Sequence, residues 1–233
     1  MRLDRYLSRA TALSRSQARR MIRAGRVSVD GDPVKQPAIP VAMQAEVVLD
    51  GELLAPPLPR YYMLNKPLGV VCATQDPSQR TVLDLFDIPK PDGLHIAGRL
   101  DIDATGLVLV TDDGQWSHRI TAPANHCAKT YRVGLAEPLP KDAAEQLRRG
   151  ICLRHEAKPT RPAELEILSD RDMRLTLTEG KYHQVKRMFA AIGNRVTSLH
   201  RESIGTLVLD KGLSAGEYRP LRPDEVSVYR IGR

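Results

Sequence analysis

The spacing of apolar positions changes rhythm along this chain and predicts its elements. Leu3, Leu7 and Ala10 recur at helical spacing and predict a short first helix. Ser14-Arg15-Ser16-Gln17 has the form of a capping box, and Ala18, Met21 and Ile22 follow at i, i+3 and i+4. They predict a second helix that begins at Ser14 and stops at Gly25. Val27-Ser28-Val29 then alternates, and Asp30-Gly31 is a hairpin signal. Residues 1–53 therefore read as a small separate module, two short helices feeding a β-hairpin. Three prolines between Leu54 and Arg60 make residues 54–60 an extended, semi-stiff spacer.

A second domain is expected over residues 61–233. Its apolar runs predict strands at 61–65, 70–73, 107–111, 130–135, 197–201 and 207–209, and a hairpin from 164–168 with 173–178. Helices are predicted at 81–86, 115–121, 141–149 and 182–192, the last with Val185, Met188, Phe189 and Ile192 on one face. Many strands, few helices and no regular βαβ alternation imply an α+β chain with a mixed, mostly antiparallel sheet. No internal repeat or low-complexity stretch interrupts it.

Composition narrows the partner. The chain has 233 residues, 42% of them apolar, enough for an ordinary core. Its formal net charge of +7 favours a polyanion. The arginines concentrate: Arg15, Arg19, Arg20, Arg23 and Arg26 lie on or beside the second predicted helix, with no acid between Arg15 and Arg26. Arg15, Arg19 and Arg23 follow one another at one-turn spacing, so one face is cationic and can follow a phosphate backbone. The bland alternative is a solvated helix face. Cys72, Cys127 and Cys152 are odd in number and lack C-x-x-C spacing, which argues against a disulfide framework or structural zinc and for a reducing compartment. No apolar run follows Met1 and none approaches membrane-spanning length, so a cytoplasmic chain with no membrane partner is expected.

The candidate chemistry centres on Gly98-Arg99-Leu100-Asp101-Ile102-Asp103-Ala104-Thr105-Gly106, a loop that runs into an apolar strand. Three other uses of these letters compete. Asp101-x-Asp103-x-Thr105-Gly106 with Asp112 looks like the start of a calcium loop, but strand-forming residues follow where a helix should. The D-x-D-x-T order resembles phosphatases of the haloacid dehalogenase type, which carry a strand before the first Asp rather than after it. The third is a surface turn in which Arg99 and Asp101 merely pair. Cys127 beside His126 lacks an orienting third group for a thiol nucleophile, and His183 reads as a capping or structural residue.

Four strings, in order along the chain, resemble the motifs of pseudouridine synthases. Tyr62-Met63-Leu64-Asn65-Lys66-Pro67-Leu68-Gly69 matches N-K-P-x-G, and the Asp101 loop matches G-R-L-D-x-x-x-x-G-L. Lys129-Thr130-Tyr131 matches K-x-Y, and Glu179-Gly180-Lys181-Tyr182-His183-Gln184-Val185-Lys186-Arg187-Met188 matches E-G-[KR]-x-x-Q-[VI]-[KR]-R-M. Read singly, these are a strand with a Pro-Gly turn, a loop, a strand and a basic helix start. The first 53 residues resemble the S4 RNA-binding module. The joint pattern resembles the RsuA family, which modifies one uridine of small-subunit (16S) ribosomal RNA.

The resemblance implies a small N-terminal S4-like α/β RNA-binding module joined to a pseudouridine synthase domain. It implies an isomerase that needs no cofactor or metal, because cutting the ribose–base bond and rejoining through carbon involves no net redox change and no group donor. The partner would be ribosomal RNA, naked or in a partly assembled small subunit, and the chain a monomer. Asp101 would be the catalytic carboxylate. Lys186 would pair with it, and where Lys186 lacks the planar fork of arginine, Arg187 is the fallback. Tyr131, also in the catalytic set, would stack on the extruded base, a contact worth about 1–3 kcal/mol, and could donate or accept a proton. Arg99 would fill the space left by that base or bind phosphate, and Lys66 and Lys129 would contact phosphate or support the loop. Arg187, Arg15, Arg19, Arg20 and Arg23 complete the expected RNA contacts. The runner-up is a non-catalytic rRNA-binding or ribosome-assembly protein with a degenerate synthase domain; a metal-dependent phosphotransferase is a third possibility.

Overall fold

The computed structural model describes residues 1–42 and 44–229; Met43 and residues 230–233, which the two expected domains include, lie outside the described residues. The chain divides into two compact units, Met1–Pro59 and Arg60–Arg233.

The first unit opens with helices α1 (Leu3–Ala10) and α2 (Arg15–Arg23). The predicted capping box forms: Gln17 N–H donates to Ser14 Oγ at 3.3 Å and Ser14 N–H to Gln17 Oε1 at 2.8 Å. Gly25, at φ +73°, follows the end of α2. Strands β1 (Val27–Val29) and β2 (Asp32–Pro33) form the expected hairpin. A second hairpin, β3 (Val47–Leu49) with β4 (Glu52–Leu53), was not anticipated. Its signal is in the chain, since Asp50-Gly51 repeats Asp30-Gly31 and both aspartates take the positive φ such turns require, +52° and +54°. The four strands lie antiparallel in the order β2-β1-β3-β4 over a core that includes Leu3, Tyr6, Leu7, Ile22, Val27 and Val47.

The arginine stripe of α2 meets an acid that the sequence reading overlooked. Asp4 on α1 is fully buried and accepts hydrogen bonds from Arg2, Arg15 and Arg19. Burial by itself would raise the Asp4 pKa. The guanidinium groups of Arg19, Arg15 and Arg2 outweigh it and hold the carboxyl far below the usual range. Arg15 and Arg19 are thus partly neutralised, whereas Arg20 and Arg23 are exposed and make no ion pair within the described residues.

The described residues of the second unit form nine strands. They are β5 (Tyr61–Lys66), β6 (His95–Ala97), β7 (Thr105–Thr111), β8 (Lys129–Leu135), β9 (Glu164–Ser169), β10 (Asp172–Leu177), β11 (Val196–Ile204), β12 (Leu207–Val208) and β13 (Tyr218–Pro220). The sheet runs β13-β5-β7-β11-β8-β10-β9, with β6 on β7 and β12 on β11. Every pairing is antiparallel except β7 with β11. Helices α3 (Gly114–Thr121), α4 (Ala143–Arg149), α5 (Gln184–Ala191) and α6 (Pro223–Ser227) complete the unit. Strand β7 explains its own unbroken apolar run, because both faces are covered. Val108 and Val110 join Leu64, Val133, Met188 and Phe189 in one core, and Leu107 and Leu109 join Met63, Trp116 and Ile120 in the other.

Two predictions of local structure fail in this unit, and three of its elements go unpredicted. Residues 70–73 form no strand; Val71 makes one bridge to Thr81, while buried Val70 and Cys72 pack into the core instead of pairing. Residues 81–86 hold only a 3-10 turn, Leu83–Leu85. β6, β13 and α6 are too short to leave a periodic trace.

The one parallel pair depends on a close approach. Gly106 lies opposite Arg201 at φ +101°, and a Cβ there would stand 2.4 Å from the Arg201 carbonyl oxygen. Only glycine lets the two strands pass so closely. Arg201, 1% exposed, donates from Nε to Leu107 O at 2.8 Å, from Nη1 to Arg99 O at 3.1 Å and from Nη2 to Gly98 O at 2.8 Å.

Two stability outcomes follow from these buried charges. Asp4→Ala leaves three half-exposed arginines without their acceptor and should cost the first unit about 1–3 kcal/mol at neutral pH. Because the folded-state pKa of Asp4 is depressed, its contribution is present above about pH 4 and disappears as pH falls toward the folded value. Hydrogen exchange of the α1 and α2 amides should therefore separate variant from wild type at pH 7 and bring them together in acid. Arg201→Met orphans three carbonyls and should cost about 2–4 kcal/mol, lowering the calorimetric midpoint of the second unit by roughly 5–15 °C. An unchanged midpoint would contradict the role given to this guanidinium.

Candidate active site

The Asp101 loop joins β6 to β7 and is tied down from beneath. Arg201 grips a carbonyl on each side of it, residues 98 and 99 before and residue 107 after. Lys66, at the end of β5, has no exposed surface, and its ammonium donates to Ala104 O at 2.7 Å, Pro67 O at 2.9 Å and Ile102 O at 3.4 Å. The Gly69 N–H adds a bond to Ile102 O at 3.0 Å. Leu100 is buried, and its N–H donates to Cys72 Sγ at 3.2 Å. The Asn65-Lys66-Pro67-Leu68-Gly69 string thus supports the loop. Of the two parts expected of Lys66, phosphate contact or loop support, the geometry fits the second and not the first: its ammonium is enclosed and engaged by carbonyls.

Asp101 itself faces outward, its side chain 29% exposed. Lys186 Nζ lies 3.1 Å from Asp101 Oδ2 and 2.5 Å from Asp103 Oδ1. Burial disfavours the Lys186 ammonium, but hydrogen bonds to Asp103 and Asp101 outweigh it and raise its pKa above the ordinary lysine value. The same ammonium lowers the pKa of Asp103. His183 Nε2 approaches Asp101 Oδ1 to 3.5 Å.

Local sequence explains why Lys186, and not Arg187, reaches the loop. Val185, Met188 and Phe189 are buried and fix the rotation of α5. Gln184 holds the turn before it, accepting from Lys181 N–H at 2.8 Å and donating to Glu179 at 2.7 Å. Arg187 then points elsewhere, to Glu156 Oε1 at 3.1 Å and Arg154 O at 2.6 Å.

The remaining expected residues are spread around the loop. Tyr131, on β8, lies opposite Arg201 on β11, which in turn lies opposite Gly106, so the three share a row across the sheet. Tyr131 is half-buried and packs against the core that holds Met188 and Phe189. Lys129 donates to Cys127 O at 2.8 Å, and burial lowers its pKa, as it does for Lys66. Arg99 projects an exposed side chain while its carbonyl is held by Arg201.

The competing uses of the loop lose their geometry. Lys186 sits between Asp101 and Asp103, and Asp112 is buried against Arg60, at 2.9 Å from its Nε, so the calcium ligands do not converge. A strand does precede the loop, contrary to the expectation from sequence, but β6 is a three-residue strip along β7. Arg99 and Asp101 do not pair; Asp101 is engaged by Lys186. Cys127 faces Tyr229 at 3.6 Å and His126 faces Arg161, so the two neighbours form no thiol–imidazole pair.

Sequence reading missed four participants. Arg201 and Cys72 act on the loop from distant segments and leave no local signal. Asp103 was given no part beside Asp101 in the expected site yet shares Lys186 with it. His183 occupies the N-cap position of α5 without capping it and faces Asp101 instead.

Comparison with known proteins shows the family. Residues 60–191 match the family model described as RNA pseudouridylate synthase, and residues 1–47 match the S4 domain. The ribosomal small subunit pseudouridine synthase A of Escherichia coli (strain K12) is 53% identical over 97% of this chain and 99% of its own. That of Yersinia pestis is 53% identical over 97% of each. A solved structure titled as a pseudouridylate synthase, 50% identical, covers 97% of this chain and 98% of its own with a TM-score of 0.71. The chain therefore belongs to the RNA pseudouridylate synthase family, with an S4 domain at its N-terminus.

Proposed function

We propose that this protein isomerises one uridine of small-subunit (16S) ribosomal RNA to pseudouridine, with Asp101 as its catalytic carboxylate. The observation that carries the proposal is the contact of Asp101 with Lys186 at 3.1 Å on a loop fixed by Arg201 and Lys66. The relatives named for the small ribosomal subunit, matched along nearly the whole chain, support the substrate.

The reaction breaks the bond from ribose to base nitrogen, turns the base and rejoins it through carbon, with a proton leaving that carbon and one taken up by the freed nitrogen. Asp101 serves by attack on the sugar or base, or by taking the proton. Lys186 positions it. A stacked base is out of reach, so the uridine is extruded into the site at a cost of roughly a few kcal/mol. Tyr131 stacks on it and offsets part of that cost. Arg99, exposed at the loop's edge, contacts phosphate or fills the gap left behind. The S4 unit clamps the RNA, with the exposed Arg20 and Arg23 as its first phosphate contacts and Arg15 and Arg19 sharing their charge with Asp4. Among the described residues no helix is long and apolar enough to cross a membrane, and we place the enzyme in the cytoplasm, acting on naked rRNA or a partly assembled subunit.

Asp101→Asn tests the assignment, because it keeps the size of the side chain while removing its charge. The variant should bind a 16S rRNA transcript within about threefold of wild type yet form at least roughly a thousandfold less pseudouridine per unit time, an effect of the size expected for loss of a catalytic group. Tritium release from 5-tritiated uridine and filter binding read the two quantities. Full isomerase activity in the variant would overturn it.

A further inference from the structure

Tyr182 is the feature the proposed mechanism leaves unused. Its side chain is 77% exposed, the greatest exposure of any large hydrophobic residue in the second unit's described part. Its ring nevertheless has a fixed neighbour: it lies on the His183 imidazole with centroids 3.8 Å apart and planes 20° from parallel. His183 adopts the left-handed conformation at φ +47°, uncommon for a residue with a side chain, and its Nε2 stands 3.5 Å from Asp101 Oδ1. Two stacked rings therefore lead from the catalytic carboxylate out to solvent.

The turn that carries them is held firmly. Tyr182 O accepts from Arg187 Nη1 at 3.2 Å. Lys181 N–H donates to Gln184 Oε1 at 2.8 Å, while Lys181 Nζ and Arg187 Nη1 converge on the Glu156 carboxylate at 2.9 and 3.1 Å. An exposed aromatic on a mobile loop would be unremarked surface. One on a clamped turn, backed by a second ring, is already ordered for a flat ligand, so little freedom is lost when that ligand arrives.

We propose that Tyr182, buttressed by His183, is the stacking platform for the unpaired RNA base next to the extruded uridine. This rests on the isomerase function proposed above. Single-stranded bases are recognised by stacking on aromatic faces, and every base offers such a face. With His183 covering one side of the Tyr182 ring, the other side is free for a base. The platform is one side chain away from Asp101, the separation that suits a neighbouring nucleotide. Tyr182 then fixes which uridine is presented, a task separate from that of Tyr131, which serves the reacting base.

The test is steady-state isomerisation of a 16S rRNA transcript by the full-length chain. Tyr182→Ala should raise KM roughly 5- to 100-fold, the range of one lost base–aromatic stack, with kcat within about threefold and an unchanged thermal midpoint. Tyr182→Phe, which keeps the ring, should restore the wild-type KM. An unchanged KM in Tyr182→Ala would overturn the platform. So would a fall in kcat alone, which would mean that Tyr182 acts only through His183 on Asp101, and so would a KM for Tyr182→Phe as high as that of Tyr182→Ala. Failure of the wild-type chain to modify both the transcript and a partly assembled small subunit would instead overturn the function on which the platform rests.

Discussion

The site depends on one buried cation gathering a loop around itself. Burying a guanidinium is costly unless its donors are satisfied. Arg201 is satisfied by carbonyls, three of them, drawn from both ends of the segment that carries Asp101. The loop therefore folds to meet the needs of the arginine as much as the arginine serves the loop. Gly106 makes the approach possible, since any side chain there would strike the Arg201 backbone. Lys66 repeats the device a few residues on, filling its coordination with carbonyls of residues 102 and 104.

This gives the cations around Asp101 two kinds of work. Lys66, beneath the loop, meets carbonyls, and burial lowers its pKa. Lys186 meets carboxylates, and its pKa is raised. The first kind fixes backbone. The second holds the Asp101 side chain, and Asp103 joins it by sharing the same ammonium. In the S4 unit a single acid plays the reverse part, with Asp4 gathering Arg2, Arg15 and Arg19 about one buried carboxylate.

What could be read from the sequence was whatever is periodic or local. The unbroken apolar run of β7, the alternating pair β9 and β10, the buried face of α5 and the Ser14–Gln17 box each state their structure within a dozen residues. The motifs that brought Asp101 and Lys186 together were legible by resemblance, although the residues lie far apart in the chain. Arg201 was not legible. It sits in Thr197-Ser198-Leu199-His200-Arg201-Glu202, where polar and apolar positions mix as on any half-buried strand, and nothing local says that its side chain turns back to residues a hundred positions earlier. The capping half of the His183 reading fails for a similar reason, because helix-start residues usually cap, and only the fold brings Asp101 beside it. Residues 70–73 looked like a strand because apolar β-branched residues also fill cores without pairing.

The central claim is that this arrangement makes pseudouridine at one place in small-subunit ribosomal RNA. It is tested most directly by mapping pseudouridine, nucleotide by nucleotide, in ribosomal RNA from cells with and without the gene for this chain. The account predicts that deletion removes the modification at a single small-subunit uridine, that the wild-type gene restores it, and that all other sites are unaltered. An identical map in the deleted cells would contradict it.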